Sequence, residues 1–399
     1  MQQSKVYFKG LNGLRFFAAF LVLMQHAESN RSGFSLFNLA NYTLFSSGAS
    51  AVEFFFVLSG FLITYLLLEE EANSGTINVR NFYMRRVLRI WPLYYLVLII
   101  GLLLIPAAIK IVNHGYTPTF PLTTAGLLFT LFLPNLVTSI WEVGYLTPLW
   151  SIGVEEQFYF FWAPLVKYFK KYAIAIFATI IVLRGIFYAY SAVNPPTVLT
   201  KFLFTLKFEA MSVGGLGAWL FYHFRERMMN MKIFNRGCQI LFLSLIAVRL
   251  TCHNYLTQEN TTWIGVAYSA IFGHFYSFLA TNALFLWLIL NTSSNPKTIL
   301  TTNNKILNFL GNLSFGIYMY HSIVLLFVVL ILKNILRTLS PLSATIALYA
   351  ISSVLTFITA YLSYRLVESR FLSLKKAFEP KSSTVAAERN KDLEKAVGA

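Results

Sequence analysis

Residues 51–68 read AVEFFFVLSGFLITYLLL, in which Glu53 is the single charged side chain. Such a stretch predicts a membrane-spanning helix, because about 20 mostly apolar residues cross the hydrocarbon core of a bilayer. Similar stretches recur throughout the 399 residues, of which 57% are hydrophobic and 12% are charged. A soluble domain carries about 25% charged residues, so this composition excludes an ordinary soluble enzyme. The sequence therefore predicts an all-α, polytopic integral membrane protein.

The order of the apolar segments predicts about ten transmembrane helices. A shorter run, 123–138, contains Pro134 and is expected to form a re-entrant or interfacial helix instead of an eleventh span. With the N-terminus inside, 24 of the 32 Lys and Arg residues fall on the cytoplasmic side and 6 fall outside. This bias follows the positive-inside rule and predicts that both termini are cytoplasmic. The expected spans are 11–29, 48–68, 92–112, 148–168, 172–191, 203–223, 234–252, 264–290, 311–332 and 343–365.

The basic residues that give the chain its formal net charge of +16 lie in short loops between apolar segments. They form no soluble basic face, so we expect the lipid bilayer as a partner and no nucleic acid. Residues 1–372 are predicted to form the transmembrane domain. Residues 373–399 are predicted to be a flexible cytoplasmic tail, because they are polar and highly charged. The sequence indicates no metal site.

Ionisable side chains inside the predicted spans are candidates for chemistry, since each costs about 2.5 kcal/mol or more near the membrane centre. Arg15 and His26 share one face of the first span, separated by about 16 Å along its axis. Glu53 of the second span and the pair Glu155–Glu156 of the fourth are expected at the depth of His26. A carboxylate beside an imidazole suits a general base that acts on a hydroxyl. The alternative is a polar cluster that only ties helices together.

Arg86 and Arg89 precede the third span at a spacing of three residues, so they share a helical face. Two guanidinium groups at the cytoplasmic surface suit a phosphorylated ligand, because each binds phosphate oxygens bidentately. Ordinary topogenic charge is the alternative. Further polar residues of the second and ninth spans are candidates to line a cavity, namely Ser59, Ser314, Tyr318 and His321.

Six motifs occur in order along the chain: GLRFFAAFLVLMQH, VEFFFVLSGFLI, FYMRRVLRIWPLYY, LTPLWSIGVEEQFYFFW, LGNLSFGIYMYH and YRLVESRF. Through them the chain resembles the acyltransferase-3 family of membrane proteins, which O-acylate cell-surface glycans, from about residue 10 to residue 372. Many members carry a fused extracellular hydrolase-like domain. We expect this chain to be a standalone form, which acts alone or hands its acyl group to a separate periplasmic transferase.

The resemblance also implies roles for individual residues. The essential Arg-x10-His pair of the family falls on Arg15 and His26, and its cytoplasmic Arg-x-x-Arg motif, which engages the acyl donor, falls on Arg86 and Arg89. The family's C-terminal Glu-x-Pro differs here, because Arg370 replaces the proline, and this leaves the role of the preceding glutamate open. The acidic positions of the second and fourth spans fall on Glu53 and on Glu155 or Glu156.

The expected function is O-acylation in the inner membrane of a bacterium. Acyl-coenzyme A, in the simplest case acetyl-coenzyme A, is the expected cytoplasmic co-substrate, held by Arg15, Arg86 and Arg89. The expected acceptor is a hydroxyl of a cell-envelope carbohydrate such as lipopolysaccharide O-antigen or exopolysaccharide, with His26 as the general base. The alternative is a transporter of a lipid-linked or acylated compound, since polar groups within the membrane serve transport equally well.

Overall fold

A computed structural model describes residues 8–112, 118–258, 262–272 and 277–380, and these residues form helices and turns without a strand. Their α-helices are α1 Leu11–Gly33, α2 Gly48–Ser74, α3 Val79–Ile99, α4 Ile105–Val112, α5 Leu122–Thr130, α6 Pro134–Ile140, α7 Leu149–Phe169, α8 Ala173–Val193, α9 Val198–Thr205, α10 Phe208–Met229, α11 Arg236–Thr251, α12 His253–Gln258, α13 Trp263–Phe272, α14 Ser277–Ser294, α15 Lys305–Asn312, α16 Ser314–Thr338, α17 Pro341–Ser363 and α18 Ser369–Leu374. The predicted all-α class is therefore confirmed for the part of the chain that is described.

The starts of the third and sixth predicted spans differ from the observed helix starts for local reasons. The third segment begins at Val79 and not at residue 92, because the Asn78 side chain caps the helix by accepting a hydrogen bond from Asn81 N at 3.0 Å. The sixth begins at Phe208 and not at residue 203, because a break separates α9 from α10. As predicted, 123–138 forms no long helix: it gives the short helices α5 and α6, and α6 starts at its proline.

By length and composition, five helical runs among the described residues could cross a membrane, and α13 with α14, whose axes differ by 85°, would add a sixth. One of the five, Gly144–Val193, contains both α7 and α8. The rings of Trp162 and Phe177 nevertheless lie 5.0 Å apart, whereas fifteen residues of straight helix would separate them by about 22 Å. This run therefore folds back on itself. The count of about ten spans and the cytoplasmic termini stay predictions.

Contacts between helices give the relative directions of two helix pairs. α1 and α16 run parallel: Asn12 Nδ2 donates to Asn312 Oδ1 at 3.3 Å near their starts, and the rings of His26 and His321 meet further along. The start of α2 lies beside Gln25, near the end of α1, so these two helices are antiparallel. This arrangement brings residues from distant parts of the sequence to the same depth.

The closest packing in the described bundle joins α2 and α10. A Cβ added to Gly60 would collide with the backbone carbonyl of Met211, and one added to Gly214 would collide with that of Val57. Small residues permit such backbone-to-backbone contact between membrane helices. The contact fixes one face of α2 against α10 and leaves another face toward α7.

The predicted tail begins inside ordered structure. Residue 372 lies within α18, and a 3-10 turn, Lys375–Phe378, continues the chain. Arg85 Nη1 of α3 donates a hydrogen bond to Phe378 O at 2.7 Å, which holds this turn against the bundle. Residues 381–399, the remainder of the predicted tail, lie outside the described residues.

Candidate active site

A cavity of about 120 Å³ opens between α1, α2, α3, α7 and α16. We call it the basic cavity, because its described lining contains three guanidinium groups and one carboxylate. The sequence predictions Ser59, Ser314 and Tyr318 line it as well. Its principal polar residues are Arg15, Ser59, Arg86, Arg89, Ser151, Glu155, Tyr159, Ser314 and Tyr318.

The described lining of the basic cavity carries more positive than negative side chains. Glu155 is its one carboxylate, beside Arg15, Arg86 and Arg89, while Glu156 and Glu368 act on Arg86 and Arg89 from outside the lining. Arg86 stacks over the ring of Tyr159 at 5.5 Å, and its buried Nε has no hydrogen-bond partner in the described structure. Positive charge with unused N–H donors suits an anionic ligand, above all phosphate.

The two adjacent glutamates of α7 separate, as their 100° helical spacing predicted. Glu155 faces the basic cavity, where Ser59 Oγ donates to its Oε1 at 3.0 Å and Tyr159 Oη donates to its Oε2 at 2.7 Å. Glu156 faces α3 instead, and Trp91 Nε1 donates to its Oε2 at 3.0 Å. Of the two carboxylates, only Glu155 lines the basic cavity.

Tyr318 lines the basic cavity and contacts one of two neighbouring histidines. Its hydroxyl lies 2.6 Å from Ser151 Oγ and 3.0 Å from Pro148 O, which fixes the position of the phenol ring. The centroids of the Tyr318 and His321 rings are 5.7 Å apart. The ring of His321 then lies 5.0 Å from that of half-buried His26. Neither histidine belongs to the lining of the basic cavity.

The expected pairing of His26 with a carboxylate is absent among the described residues. Glu53 forms an ion pair with Lys207, the residue that precedes α10, with Nζ and Oε1 3.0 Å apart. The physical reason is angular: Glu53 and Ser59 are six residues apart, so their side chains point about 120° apart around α2. Glu53 was expected at the depth of His26, but a shared depth does not place its side chain on the face of α2 that lines the basic cavity. Glu155, which does face the cavity, bonds to hydroxyl groups and not to His26.

A second cavity of about 290 Å³ lies at the opposite end of α1 from Arg15. We call it the Arg31 cavity. Arg31 is 2% exposed, its Nη1 lies 3.1 Å from Glu28 Oε1, and its Nη2 donates to Thr345 Oγ1 at 2.9 Å. The sequence predictions did not include this site, although the i, i+3 spacing of Glu28 and Arg31 could have indicated an ion pair there. The lining comprises Arg31, Ser35, Leu36, Phe37, Leu336, Arg337, Leu339, Pro341 and Ala344.

Glu368, whose role the sequence left open, lies outside both cavity linings. It belongs to a π-helical turn, Tyr364–Glu368, and accepts a hydrogen bond from Ser363 Oγ at 3.4 Å. Two polar residues of the described cavity lining, Tyr159 and Ser151, were not among the sequence predictions. Tyr159 follows Glu155 by one helical turn, which was a usable signal, whereas nothing in the local sequence distinguishes Ser151.

The family described as "Acyltransferase domain" matches residues 8–365, nearly the whole chain. The chain belongs to this acyltransferase family. Its apolar helices together with this membership indicate a multi-pass membrane protein. No solved structure gives a significant match.

Three relatives of this chain are bacterial proteins. The chain is 27% identical over 387 residues to a candidate O-acetyltransferase of Staphylococcus aureus (strain COL), covering 92% of this chain and 57% of the relative. It is 24% identical over 414 residues to the peptidoglycan O-acetyltransferase OatA of Listeria monocytogenes serovar 1/2a (strain ATCC BAA-679 / EGD-e), covering 95% and 59%. A candidate peptidoglycan O-acetyltransferase of Bacillus subtilis (strain 168) is 31% identical over 163 residues, covering 40% and 24%. The chain thus spans less than two thirds of the length of these relatives.

Proposed function

We propose that this acyltransferase moves an acyl group, in the simplest case acetyl, from cytoplasmic acyl-coenzyme A to a hydroxyl of a cell-envelope carbohydrate. The observation that carries the proposal is the basic cavity, in which three guanidinium groups outnumber one carboxylate. Because two relatives are named as peptidoglycan O-acetyltransferases, peptidoglycan is a candidate acceptor alongside O-antigen and exopolysaccharide. The proposed location is the cytoplasmic membrane of a bacterium.

Coenzyme A matches the basic cavity because it carries several phosphates and a flexible arm that ends in the thioester. Arg86 and Arg89 come from the start of α3, and Arg15 comes from the start of α1. Guanidinium groups bind phosphate oxygens through paired hydrogen bonds. His26 lies about 16 Å beyond Arg15 along α1. The arm can extend from the arginines toward Tyr318 and the histidines.

The acceptor is proposed to arrive from the other end of the bundle. The Arg31 cavity lies one and a half helical turns, or about 7.5 Å, beyond His26 along α1. In the transfer step, His26 takes the proton of the acceptor hydroxyl, and the oxygen attacks the thioester carbonyl carbon. The carbon–sulfur bond then breaks, and the departing thiolate receives the proton from His26. The products are an ester and free coenzyme A.

The test is covalent transfer from radiolabelled acetyl-coenzyme A to glycan in membranes that contain the protein. We expect label on extracted glycan with the wild type. In the Arg86→Gln and Arg89→Gln variants, loss of one charged hydrogen bond should raise the KM for acetyl-coenzyme A about tenfold or more. Arg227→Gln is the matched control, because Arg227 is an exposed cation of α10 outside the cavity.

The other outcomes of this experiment identify the alternatives. Unchanged KM in both cavity variants would contradict phosphate binding by the basic cavity. Movement of an acylated or lipid-linked compound across the membrane without covalent labelling of glycan would support a transporter. Label on a second protein would indicate the separate periplasmic transferase that the resemblance suggested.

A further inference from the structure

Two histidines on parallel helices lie side by side beyond the basic cavity. The ring centroids of His26 and His321 are 5.0 Å apart, and the ring planes are tilted by 53°. His321 is completely buried, and it follows Tyr318 of the cavity lining by one turn of α16. In the described structure, His321 is therefore the titratable group in closest ring contact with the proposed base.

The backbone determines which nitrogen of His321 carries the proton. Its Nδ1 lies 2.6 Å from the carbonyl oxygen of Tyr318, one turn earlier. A carbonyl oxygen can only accept, so Nδ1 must be the N–H donor in the neutral ring. The opposite nitrogen, Nε2, then carries a lone pair. This Nε2 is buried and has no hydrogen-bond partner among the described residues.

We propose that His321 is a positioning residue that accepts a hydrogen bond from a ring N–H of His26, directly or through one water. This bond would hold the other nitrogen of His26 free to take the proton of the acceptor hydroxyl. The proposal rests on the acyl transfer proposed above and deepens it. His321 takes the place that a carboxylate occupies in many catalytic histidine pairs, where the partner fixes the ring and its tautomer.

A neutral partner suits this position better than a carboxylate would. The described ring contacts of His321 are with His26 and Tyr318, neither of which is a cation in its neutral form, and a carboxylate buried there without a cation would be costly. An imidazole with one N–H already bonded to the backbone supplies an acceptor without a formal charge. An unpaired acceptor at 0% exposure is also unusual for a residue that serves packing alone.

The proposed step balances with the pair in place. The acceptor hydroxyl gives its proton to one nitrogen of His26 while the proton on the other nitrogen stays hydrogen-bonded to His321 Nε2. The acceptor oxygen bonds to the thioester carbon, and coenzyme A leaves as the thiolate. That thiolate takes the transferred proton from His26, so both rings return to their starting protonation states.

Two substitutions of His321 test the proposed Nε2 acceptor independently of the Nδ1 contact with the backbone. His321→Gln keeps an acceptor oxygen near the position of Nε2, whereas His321→Asn keeps a donor near Nδ1 and loses the distal acceptor. We expect kcat for transfer from labelled acetyl-coenzyme A to membrane glycan to fall by about 100-fold or more in His321→Asn. His321→Gln should recover at least about tenfold of this loss, and KM for acetyl-coenzyme A should stay within about twofold in both.

A third variant controls for histidine substitution in general. His253 of α12 is half-buried, and its Nδ1 lies 3.1 Å from Tyr268 Oη, far along the chain from both cavities. His253→Gln should leave kcat unchanged. Thermal unfolding of all three variants in detergent separates a loss of folded protein from a loss of rate, because the comparison is made per folded molecule.

A spectroscopic measurement tests the tautomer independently of turnover. In protein labelled with ¹⁵N-histidine and reconstituted in lipid, the signals that vanish in His321→Gln should show a protonated Nδ1 and an unprotonated Nε2. A protonated Nε2, or equal kcat in His321→Asn and His321→Gln, would overturn the proposal. If the wild type transferred no acetyl group at all, the proposed function itself would fail, whereas wild-type transfer with an unaffected His321→Asn would reject only the positioning role.

Discussion

The basic cavity and the ion pairs between α2, α8 and α10 are both charged regions inside the bundle, but their charges are arranged differently. In the second region Lys207 pairs with Glu53 at 3.0 Å, and Arg184 pairs with Glu209 at 3.2 Å. Two cations therefore pair with two carboxylates, and Arg249 interacts with Glu53 from outside these pairs. In the described lining of the basic cavity three guanidinium groups meet one carboxylate, whereas a buried Nε without a hydrogen-bond partner occurs in both regions, at Arg86 and at Arg184.

The difference indicates how to distinguish structural from functional charges in a membrane bundle. Paired charges of equal number need no further ligand, and they tie helices together. A cavity lined by more cations than carboxylates is incomplete without an anion, because burying an unpaired charge is costly. By this criterion the basic cavity is the place for a substrate, and Glu53 belongs to the framework.

The largest expected effect concerns the proposed base. His26→Ala should lower the rate of acetyl transfer by about 10²–10⁴-fold, because a positioned general base contributes about that much. Its stability should change little, since the ring is half-buried and its described contact is with His321 alone among the aromatic rings. The measurement is label transfer to glycan beside thermal unfolding in detergent. A variant that keeps near-normal transfer would reject His26 as the base.

The second-largest effect is expected on stability and not on activity. Glu209→Gln should lower the free energy of unfolding by about 3–5 kcal/mol, because Arg184 would keep its buried charge without the carboxylate. The two side chains are 2% and 6% exposed. The transfer rate per folded molecule should stay within about twofold. Reversible unfolding in mixed micelles provides the measurement.

Lys170→Gln gives a matched control for that measurement. Lys170 forms an ion pair with Glu71 at 2.6 Å, but its side chain is 57% exposed. An exposed pair contributes at most about 1 kcal/mol. Equal destabilisation by Lys170→Gln and Glu209→Gln would contradict the structural role assigned to the buried pair.

The sequence predicted the cavity residues well where helical geometry was sufficient. The i, i+3 spacing placed Arg86 and Arg89 on one face, and both line the basic cavity. The 100° rotation between neighbours predicted that Glu155 and Glu156 would separate, as they do. Hydropathy located most of the helices, because apolar length is a property of each segment alone.

The partner of His26 could not be predicted in the same way. Depth in the membrane follows from position along a helix, but the choice between Glu53 and His321 depends on which helices are neighbours. Parallel packing of α1 on α16 brings together residues that are 295 positions apart in the sequence. Nor could the sequence show that Glu53 faces α10, because the close contact of α2 with α10 decides it.

The smallest expected effect concerns Glu53, for which the sequence predicted the same role as for Glu155. Glu53→Gln should leave the transfer rate within about twofold and lower the free energy of unfolding, because its partner Lys207 is 17% exposed and would lose its carboxylate. Glu155→Gln should lower the transfer rate by several-fold, since it removes the one carboxylate of the described cavity lining, which accepts the hydrogen bonds of Ser59 and Tyr159. Both substitutions preserve shape and remove one charge, so each controls for the other in the same labelled-transfer assay. If Glu53→Gln proved the more harmful to the rate per folded molecule, equal pairing of charges would no longer identify framework residues, and Glu53 would return to the candidate active site.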